Sequence, residues 1–150
     1  MSTTPSADAL ALCFSLTRAS AVVANRIDRS LSSLHGLGFQ DFSILYHLSR
    51  ASGQRLRRID LAYRLELTPS GVTRSLLQLE KRGLVDRGAD PEDARAAYAS
   101  LSRAGKRLFA DAQATAQQIG TECFLGVPDT ATDALHSVLS RLAGMNLSNT

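Results

Sequence analysis

Residues 57–103 read RRIDLAYRLELTPSGVTRSLLQLEKRGLVDRGADPEDARAAYASLSR, a stretch that predicts a helix-turn-helix followed by a charged β-hairpin. The second helix has a well-marked start, because Thr68 is a good N-cap residue and Pro69 suits the first helical position. Gly83 is the glycine expected just past the end of that helix. Residues 84–87 then predict a short strand that leads into the hairpin.

The second helix has an apolar face and a polar face. Val72, Leu76 and Leu79 recur at helical spacing and predict a buried stripe. The opposite side carries small polar and cationic side chains, namely Ser70, Arg74 and Lys81, flanked by Thr73 and Gln78. Such side chains suit base edges in a DNA major groove, but any amphipathic helix shows them to water. The helix alone therefore leaves both interpretations open.

The distribution of charge favours the DNA-binding interpretation. Of the 17 Lys and Arg residues, 13 fall between Arg50 and Arg107, together with 7 of the 14 Asp and Glu residues. This segment therefore carries a formal charge of +6, while the rest of the chain carries −3. A nucleic-acid interface concentrates cations in this way, and an enzyme for acidic metabolites would not need them on a capped helix and its hairpin.

Length and composition predict one domain of an intracellular protein. A chain of 150 residues with 44% hydrophobic residues can bury a sizeable core. The N-terminal MSTTPSAD lacks the positive charge of a signal peptide, and Thr17 and Arg18 interrupt the apolar stretch from Ala9 to Val23, so we expect no membrane span. Two cysteines and three histidines without metal-ligand spacing predict a cytoplasmic protein with no metal site and no cofactor.

The outer helices predict a dimer. They carry two neighbouring apolar stripes near the N-terminus and two apolar helical faces near the C-terminus, more than a lone domain would use. We expect them to pair across a two-fold axis, the alternative being that all of them fold back on a monomer. The stripes comprise Leu10, Cys13, Phe14, Ala21, Ala24 and Leu31; Leu12, Leu16, Val23 and Ile27; Phe109, Ala112, Ala116, Ile119 and Cys123; and Leu135, Val138, Leu139 and Leu142.

From about Leu10 to Leu142 the chain resembles the MarR family of winged-helix transcriptional regulators. LTPSGVTRSLLQLEKRGLVDR at 67–87 is similar to the family's recognition helix and first wing strand, and DPEDARAAYASLSRAG at 90–105 is similar to its wing signature. Two positions depart from that signature: Ala94 replaces a usual Arg, which removes a cation, and Ser102 replaces a usual Thr. Serine caps a helix equally well, so the second change costs little.

The resemblance implies a mainly α fold with a small β-hairpin wing, in the order α-α-β-α-α-β-wing-β-α-α. It implies one MarR-like domain over residues 1–150, with dimerisation helices at 8–34 and 103–146 and a winged helix-turn-helix lobe at 40–102. The expected partners are a second copy of the chain and double-stranded DNA with a pseudo-palindromic operator.

On this basis we assign roles to the polar residues of the lobe. Base-edge contacts are expected from Ser70, Thr73, Arg74 and Gln78, and phosphate contacts from Arg55, Arg57, Lys81 and Arg82. Arg95 resembles the family's wing-tip arginine, which suits the narrow minor groove of A·T-rich DNA. Asp93 is expected to hold Arg95, since a carboxylate that faced phosphate would be repelled.

Two mechanisms of release from DNA remain open. By analogy with the family, a small aromatic or phenolic anion would bind near the loop from His35 to Phe39 and the helix that bears Tyr46, His47 and Arg50. The alternative is the peroxide-sensing, OhrR-type branch, whose reactive thiol lies in the first helix, as Cys13 does, and in some members pairs with a second thiol near the fifth helix, as Cys123 would. That branch surrounds the thiol with tyrosines that this chain lacks, so we expect a slowly reacting thiol or a purely structural cysteine.

Two other classes of protein compete with a regulator. The chain has no P-loop, dinucleotide fingerprint or nucleophile elbow, so an enzyme is not predicted. A winged helix can also serve as a protein-protein adaptor, but an adaptor would have no reason to combine Arg74 with the Arg95 wing. Repression is the expected sign of regulation, because a compact dimer on a promoter blocks polymerase by occupancy.

Overall fold

The computed structural model describes residues 8–89, 92 and 97–145. Over these residues, six α-helices and three strands follow one another in the order expected for a winged helix-turn-helix protein, so the predicted fold class is confirmed. These elements are α1 (Ala9–His35), α2 (Phe39–Arg50), β1 (Arg55–Arg57), α3 (Arg58–Leu65), α4 (Pro69–Lys81), β2 (Val85–Ala89), β3 (Ala97–Leu101), α5 (Arg103–Cys123) and α6 (Asp129–Met145). Residues up to Gln117 form one compact unit and residues from Gln118 onward form a second.

The core of the first unit lies between the helices and one face of the sheet. The strands pair antiparallel in the order β1-β3-β2, with Leu56 opposite Ala99 and Val85 opposite Leu101. Because side chains alternate along a strand, these four point to the same side, and all four are buried. The largest fully buried side chains that fill the core with them are those of Leu31, Leu37, Ile44, Leu45, Leu48, Leu61, Val72 and Leu79.

A glycine turn joins α1 to α2. Gly36 has a left-handed backbone, with φ of +61°, and the backbone N–H of Leu37 donates to the carbonyl of Leu31 over 3.4 Å. This arrangement is a common C-terminal cap, and it buries Leu37 against the end of the helix. Gly38 has no side chain with which to cap α2, and instead Asp28 of α1 accepts a 2.8 Å hydrogen bond from the N–H of Phe39. The start of α2 is thus held by α1.

The first half of α1 is exposed. The full length of this helix corrects the expectation that no segment is long enough to span a membrane. Leu10, Leu12 and Phe14 are each about 70% exposed. By length and composition the helix could cross a membrane, since an 18-residue window reaches a mean hydropathy of 1.2. The stretch from Ala9 to Val23 alone does not indicate this, because the helix runs on to His35. Its last turns pack in the core of the first unit, where Leu31 is buried.

The start of α5 lies in close contact with Leu84, the residue before β2. Ser102 caps α5 by accepting from the N–H of Gly105 over 3.0 Å, and its hydroxyl donates to the carbonyl of Gly83. The backbone N–H of Ser102 donates to the carbonyl of Leu84 over 3.1 Å. A Cβ on Gly105 would lie only 2.0 Å from the oxygen of Leu84, so the contact requires glycine. Gly105, the glycine of the wing signature, is therefore required by this close packing.

Candidate nucleic-acid interface and effector cavity

The helix predicted to enter DNA begins where its sequence indicated. The Thr68 hydroxyl accepts from the N–H of Gly71 over 3.1 Å, and Pro69 occupies the first helical position. Val72, Leu76 and Leu79 are buried as predicted. The helix is therefore anchored by one side and capped at the end that would meet DNA first.

The opposite side of α4 presents the expected polar residues to solvent. Ser70, Arg74, Gln78 and Lys81 are exposed. The two cations differ in position, since Arg74 lies mid-helix and Lys81 is the last helical residue. An arginine in the middle of such a face can reach base edges, whereas a lysine at the helix end suits the backbone.

Thr73 is more restricted than its neighbours. It is half-buried, its hydroxyl donates to the carbonyl of Pro69 over 3.0 Å, and it accepts from a guanidinium nitrogen of Arg58 over 3.4 Å. The hydroxyl proton is therefore committed within the helix, so Thr73 can offer a base its methyl group or its remaining acceptor lone pair. Sequence reasoning missed Arg58, because the two residues are brought together only by the fold.

Arg82 is tied to the protein itself. Its Nη2 donates to the carbonyl oxygen of Gly36 over 2.9 Å, across 46 residues of sequence. Burial raises the pKa of Asp41, and the positive charge of Arg82 opposes that rise, so the carboxylate also lies within its electrostatic reach. The phosphate contact expected of Arg82 stays a prediction, and the structure gives this residue a competing internal partner.

Arg55 and Arg57 lie on the outer face of the sheet, around one tyrosine. The guanidinium carbons of Arg55 and Arg57 stand 4.9 Å and 5.6 Å from the ring centre of Tyr98, and Nε of Arg57 donates to its hydroxyl over 3.1 Å. Such cation–π contacts hold both cations in place. Sequence analysis did not select Tyr98, which becomes their neighbour only when β1 pairs with β3.

The base of the wing is fixed to α4. Glu80 of α4 forms an ion pair with Arg87 of β2, at 3.3 Å between Oε2 and Nε. The pair is partly exposed, so it contributes little to stability, but it sets the position of the strand beside the helix. Asp93 and Arg95, to which the sequence assigned the wing tip, lie outside the described residues.

A cavity of about 370 Å³ lies between α2, the end of β3 and the first turns of α5. Tyr46 and Phe109 give it an aromatic wall, and Arg50 and Lys106 give it two cations. Of the residues expected near an effector, Tyr46 and Arg50 line this cavity, whereas His47 and the loop from His35 to Phe39 do not. The residues that line it are Tyr46, Ser49, Arg50, Gln54, Leu101, Lys106, Phe109 and Gln113.

The histidines and cysteines give no metal site among the residues that the structure describes. Burial lowers the pKa of His47, and the charge of Arg64 lowers it further. His35 Nε2 is hydrogen-bonded to the hydroxyl of Thr115 over 2.7 Å, which ties α1 to α5. Cys13 is exposed and Cys123 is partly buried.

Comparison with known proteins shows what the chain resembles. Residues 35–96 match the family model described as MarR family. A MarR family transcriptional regulator from Rhodococcus sp. RHA1 is 26% identical, with a TM-score of 0.82 over 93% of this chain and 96% of that one. No curated protein sequence matches significantly. The resemblance drawn from the sequence is thus confirmed.

Two further structures share the fold and were solved with bound molecules. Sco3205, a MarR family transcriptional regulator from Streptomyces coelicolor in complex with DNA, is 21% identical, with a TM-score of 0.84 over 96% of this chain and 91% of that one. CouR from Rhodococcus jostii RHA1, bound to p-coumaroyl-CoA, is 26% identical, with a TM-score of 0.79 over 88% of this chain and 91% of that one.

Proposed function

From the match to the MarR family, we propose that the chain is a cytoplasmic, homodimeric transcriptional repressor that binds double-stranded DNA sequence-specifically. The observation that carries this is α4, whose buried stripe holds it in the lobe while Ser70, Arg74 and Gln78 stay exposed at a capped helix. A regulator that resembles it in fold, Sco3205, was solved in complex with DNA. The family is one of regulators and not an enzyme class.

Binding to selected DNA tests this proposal. Duplexes selected from a random pool by the purified chain should share a pseudo-palindrome, and fluorescence anisotropy should show tight binding with a steep negative salt slope. Weak and equal binding to the selected and a scrambled duplex would reject the proposal and favour an adaptor. With the selected site placed over a promoter, expression of the chain should lower a reporter's output.

Two neighbouring cations of α4 separate base readout from backbone contact. Arg74→Ala should lower affinity and relax sequence preference, because arginine is the commonest reader of guanine. Lys81→Ala should weaken binding to all sequences alike and reduce the salt slope by about one. Identical effects of the two changes on specificity would contradict this division of roles.

We propose that a second copy of the chain packs against the exposed apolar residues of α1 and α6. In α1, Leu10, Leu12 and Phe14 are largely exposed, and in α6 Leu135 and Val138 are exposed by 41% and 51%. A two-fold dimer would bury such patches and hold two recognition helices about 34 Å apart, one turn of DNA.

The proposed effector is a small aromatic anion that binds the α2–α5 cavity. Its aromatic wall and its two cations, Arg50 and Lys106, match a planar ring that carries a carboxylate. The guanidinium carbon of Arg50 stands 5.5 Å from the ring centre of Tyr46, so one cation already lies over the aromatic wall. CouR, which shares the fold, was solved with p-coumaroyl-CoA.

Benzoate and benzamide, which match in shape and differ in charge, test the effector site. Benzoate should weaken DNA binding by the chain, and neutral benzamide should not. Lys106→Gln should raise the benzoate concentration needed by about tenfold, with DNA binding in its absence unchanged. Release by both compounds alike, or by neither, would contradict an anion site in this cavity.

Peroxide release is the competing mechanism, and exposure of Cys13 is the observation that favours it. The same residue lies on the apolar stripe that the proposed dimer would cover, which argues for a packing role. Cumene hydroperoxide should therefore leave DNA binding unchanged. Release that Cys13→Ser abolishes would establish the peroxide-sensing alternative.

A further inference from the structure

The C-terminal end of α4 is bonded directly to the C-terminal end of α1. Nη2 of Arg82 donates to the carbonyl oxygen of Gly36 over 2.9 Å. Gly36 is the cap residue of α1, and its own N–H is already used within the helix end, on the carbonyl of Ser32 over 3.1 Å. Its carbonyl accepts from Arg82 at the point where the left-handed backbone turns the chain. The guanidinium thus meets an acceptor that the glycine cap sets in place.

Two other bonds make the same junction rigid. Nε2 of Gln40, in the first turn of α2, donates to the hydroxyl of Ser75 in the middle of α4 over 2.8 Å. Asp28 of α1 accepts from the N–H of Phe39 and so holds that first turn to α1. The recognition helix is therefore fixed to α1 near its middle through Gln40 and at its end through Arg82.

The direction of the Arg82 side chain decides between two roles, which are to bind a DNA phosphate or to hold α4 to α1. Lys81 and Arg82 are adjacent cations at the end of a helix that would lie on DNA, and both are exposed. The guanidinium of Arg82 is turned toward Gly36 and lies within electrostatic reach of Asp41. A guanidinium bound in this way has spent part of its hydrogen-bonding capacity inside the protein, whereas a phosphate ligand must offer it to DNA.

We propose that Arg82 is a positioning residue that fixes the recognition helix to α1 and thereby sets the spacing of half-sites that the dimer accepts. The proposal rests on the function proposed above, since α1 carries apolar residues of the proposed dimer interface. Two recognition helices must stand about one DNA turn apart, and a tilt of α4 about its anchored middle would change that distance. Loss of the Arg82 bond therefore widens the range of half-site spacings that the dimer accepts, and it does not remove a phosphate contact.

The test compares Arg82→Ala with Lys81→Ala on three duplexes: the selected operator, the operator with one base pair inserted between its half-sites, and a scrambled sequence. Lys81→Ala should reduce the salt slope by about one and preserve the preference for native spacing. Arg82→Ala should keep the wild-type slope, lose about tenfold in affinity for the operator, and discriminate less against the insertion. Its binding to the scrambled duplex should match the wild type.

Three outcomes are informative. A salt slope reduced by one in Arg82→Ala, with spacing preference intact, would make Arg82 a phosphate ligand and overturn the inference. Unchanged slope and unchanged spacing preference would also overturn it. Failure of the wild-type chain to prefer its selected operator would instead reject the proposed function.

A milder variant guards against a folding defect. Arg82→Lys retains a cation that can reach the Gly36 carbonyl with a single donor, so it should fold and show an intermediate spacing preference at wild-type salt slope. Far-UV circular dichroism and urea unfolding of each variant establish that it is folded. A spacing preference in Arg82→Lys looser than in Arg82→Ala would contradict the positioning role.

Discussion

Gly105 shows how one residue without a side chain can fix the position of a helix. A Cβ at this position would lie 2.0 Å from the oxygen and 3.0 Å from the carbonyl carbon of Leu84, and backbone atoms cannot move aside as a flexible side chain can. Gly105→Ala should therefore force α5 away from the loop before β2. We expect the free energy of unfolding to fall by about 1–3 kcal/mol, measured by urea denaturation.

Gly120→Ala is the matched control in the same helix. A Cβ there meets nothing within 4 Å, so alanine adds helix propensity without a clash. This variant should be unchanged or more stable by up to about 1 kcal/mol. Equal destabilisation by both changes would mean that replacing any glycine of α5 lowers the stability, and that the contact with Leu84 is not the cause.

His47 gives the folded protein a dependence on acid. Burial first, and then the charge of Arg64, lower its pKa below 6.5, so the folded state disfavours the protonated ring. The unfolded chain takes up a proton as the pH falls through 6.5, before the folded chain does. The contribution to stability is thus complete above pH 6.5 and is lost as the pH falls from there through the folded pKa.

The measurement is urea unfolding at about pH 7.5 and about pH 5.5 for the wild type and for His47→Gln. The wild type should lose more stability on acidification than the variant, because the other histidines are common to both. An equal loss in the two proteins would show that His47 titrates alike in the folded and unfolded chains.

The contacts that sequence reasoning missed share one property, which is that the two residues are distant in the chain. Arg82 meets Gly36 across 46 residues and Arg57 meets Tyr98 across 41. Neither pair has a periodic or capping pattern that a sequence could reveal. The assignment of both arginines to phosphate used only their charge and their place near the helix-turn-helix, and charge alone does not say where a guanidinium points.

Among the elements, α4 depends on its N-cap. Thr68 satisfies the N–H of Gly71, which would otherwise lack a partner within the helix. Thr68→Ala should lower the free energy of unfolding by about 1 kcal/mol, measured by urea denaturation.

Ser137→Ala, at an exposed position within α6, is the control for the loss of a hydroxyl. The Ser137 hydroxyl donates to the carbonyl of Asp133 in its own helix over 3.0 Å and caps no helix end. The variant should be neutral or slightly stabilising, since alanine is the better helix former. Equal losses in the two variants would remove the cap as the cause.

Elements set by local sequence were predictable, and those set by pairing were less so. Thr68, the Val72 stripe and Gly83 fix the bounds of α4 through rules that span a few residues. β1 has only three residues and exists because it pairs with β3, more than 40 positions away. For the same reason, the cavity that we propose as the effector site combines Tyr46 and Arg50, which the sequence places together on α2, with Lys106 and Phe109 of α5, which it does not.

At the scale of the whole molecule, the exposed apolar side chains are the residues that the proposed dimer would cover. Phe14 is 69% exposed on α1, a cost in water that a second copy would remove. Phe14→Glu should leave the fold intact, because the side chain is outside the core, and should place a charge in the proposed interface. Sedimentation equilibrium should then report a monomer where the wild type is a dimer.

Ile59→Glu controls for the change in surface charge. Ile59 is 68% exposed, but it belongs to α3, which is not one of the proposed dimer helices, so this variant should remain a dimer. Monomeric Phe14→Glu should also lose palindrome-dependent affinity while retaining weak binding to any duplex, because each lobe keeps its cations but no longer has a tethered neighbour. A Phe14→Glu protein that stays dimeric and binds its operator would place the interface elsewhere and leave the apolar half of α1 for another partner.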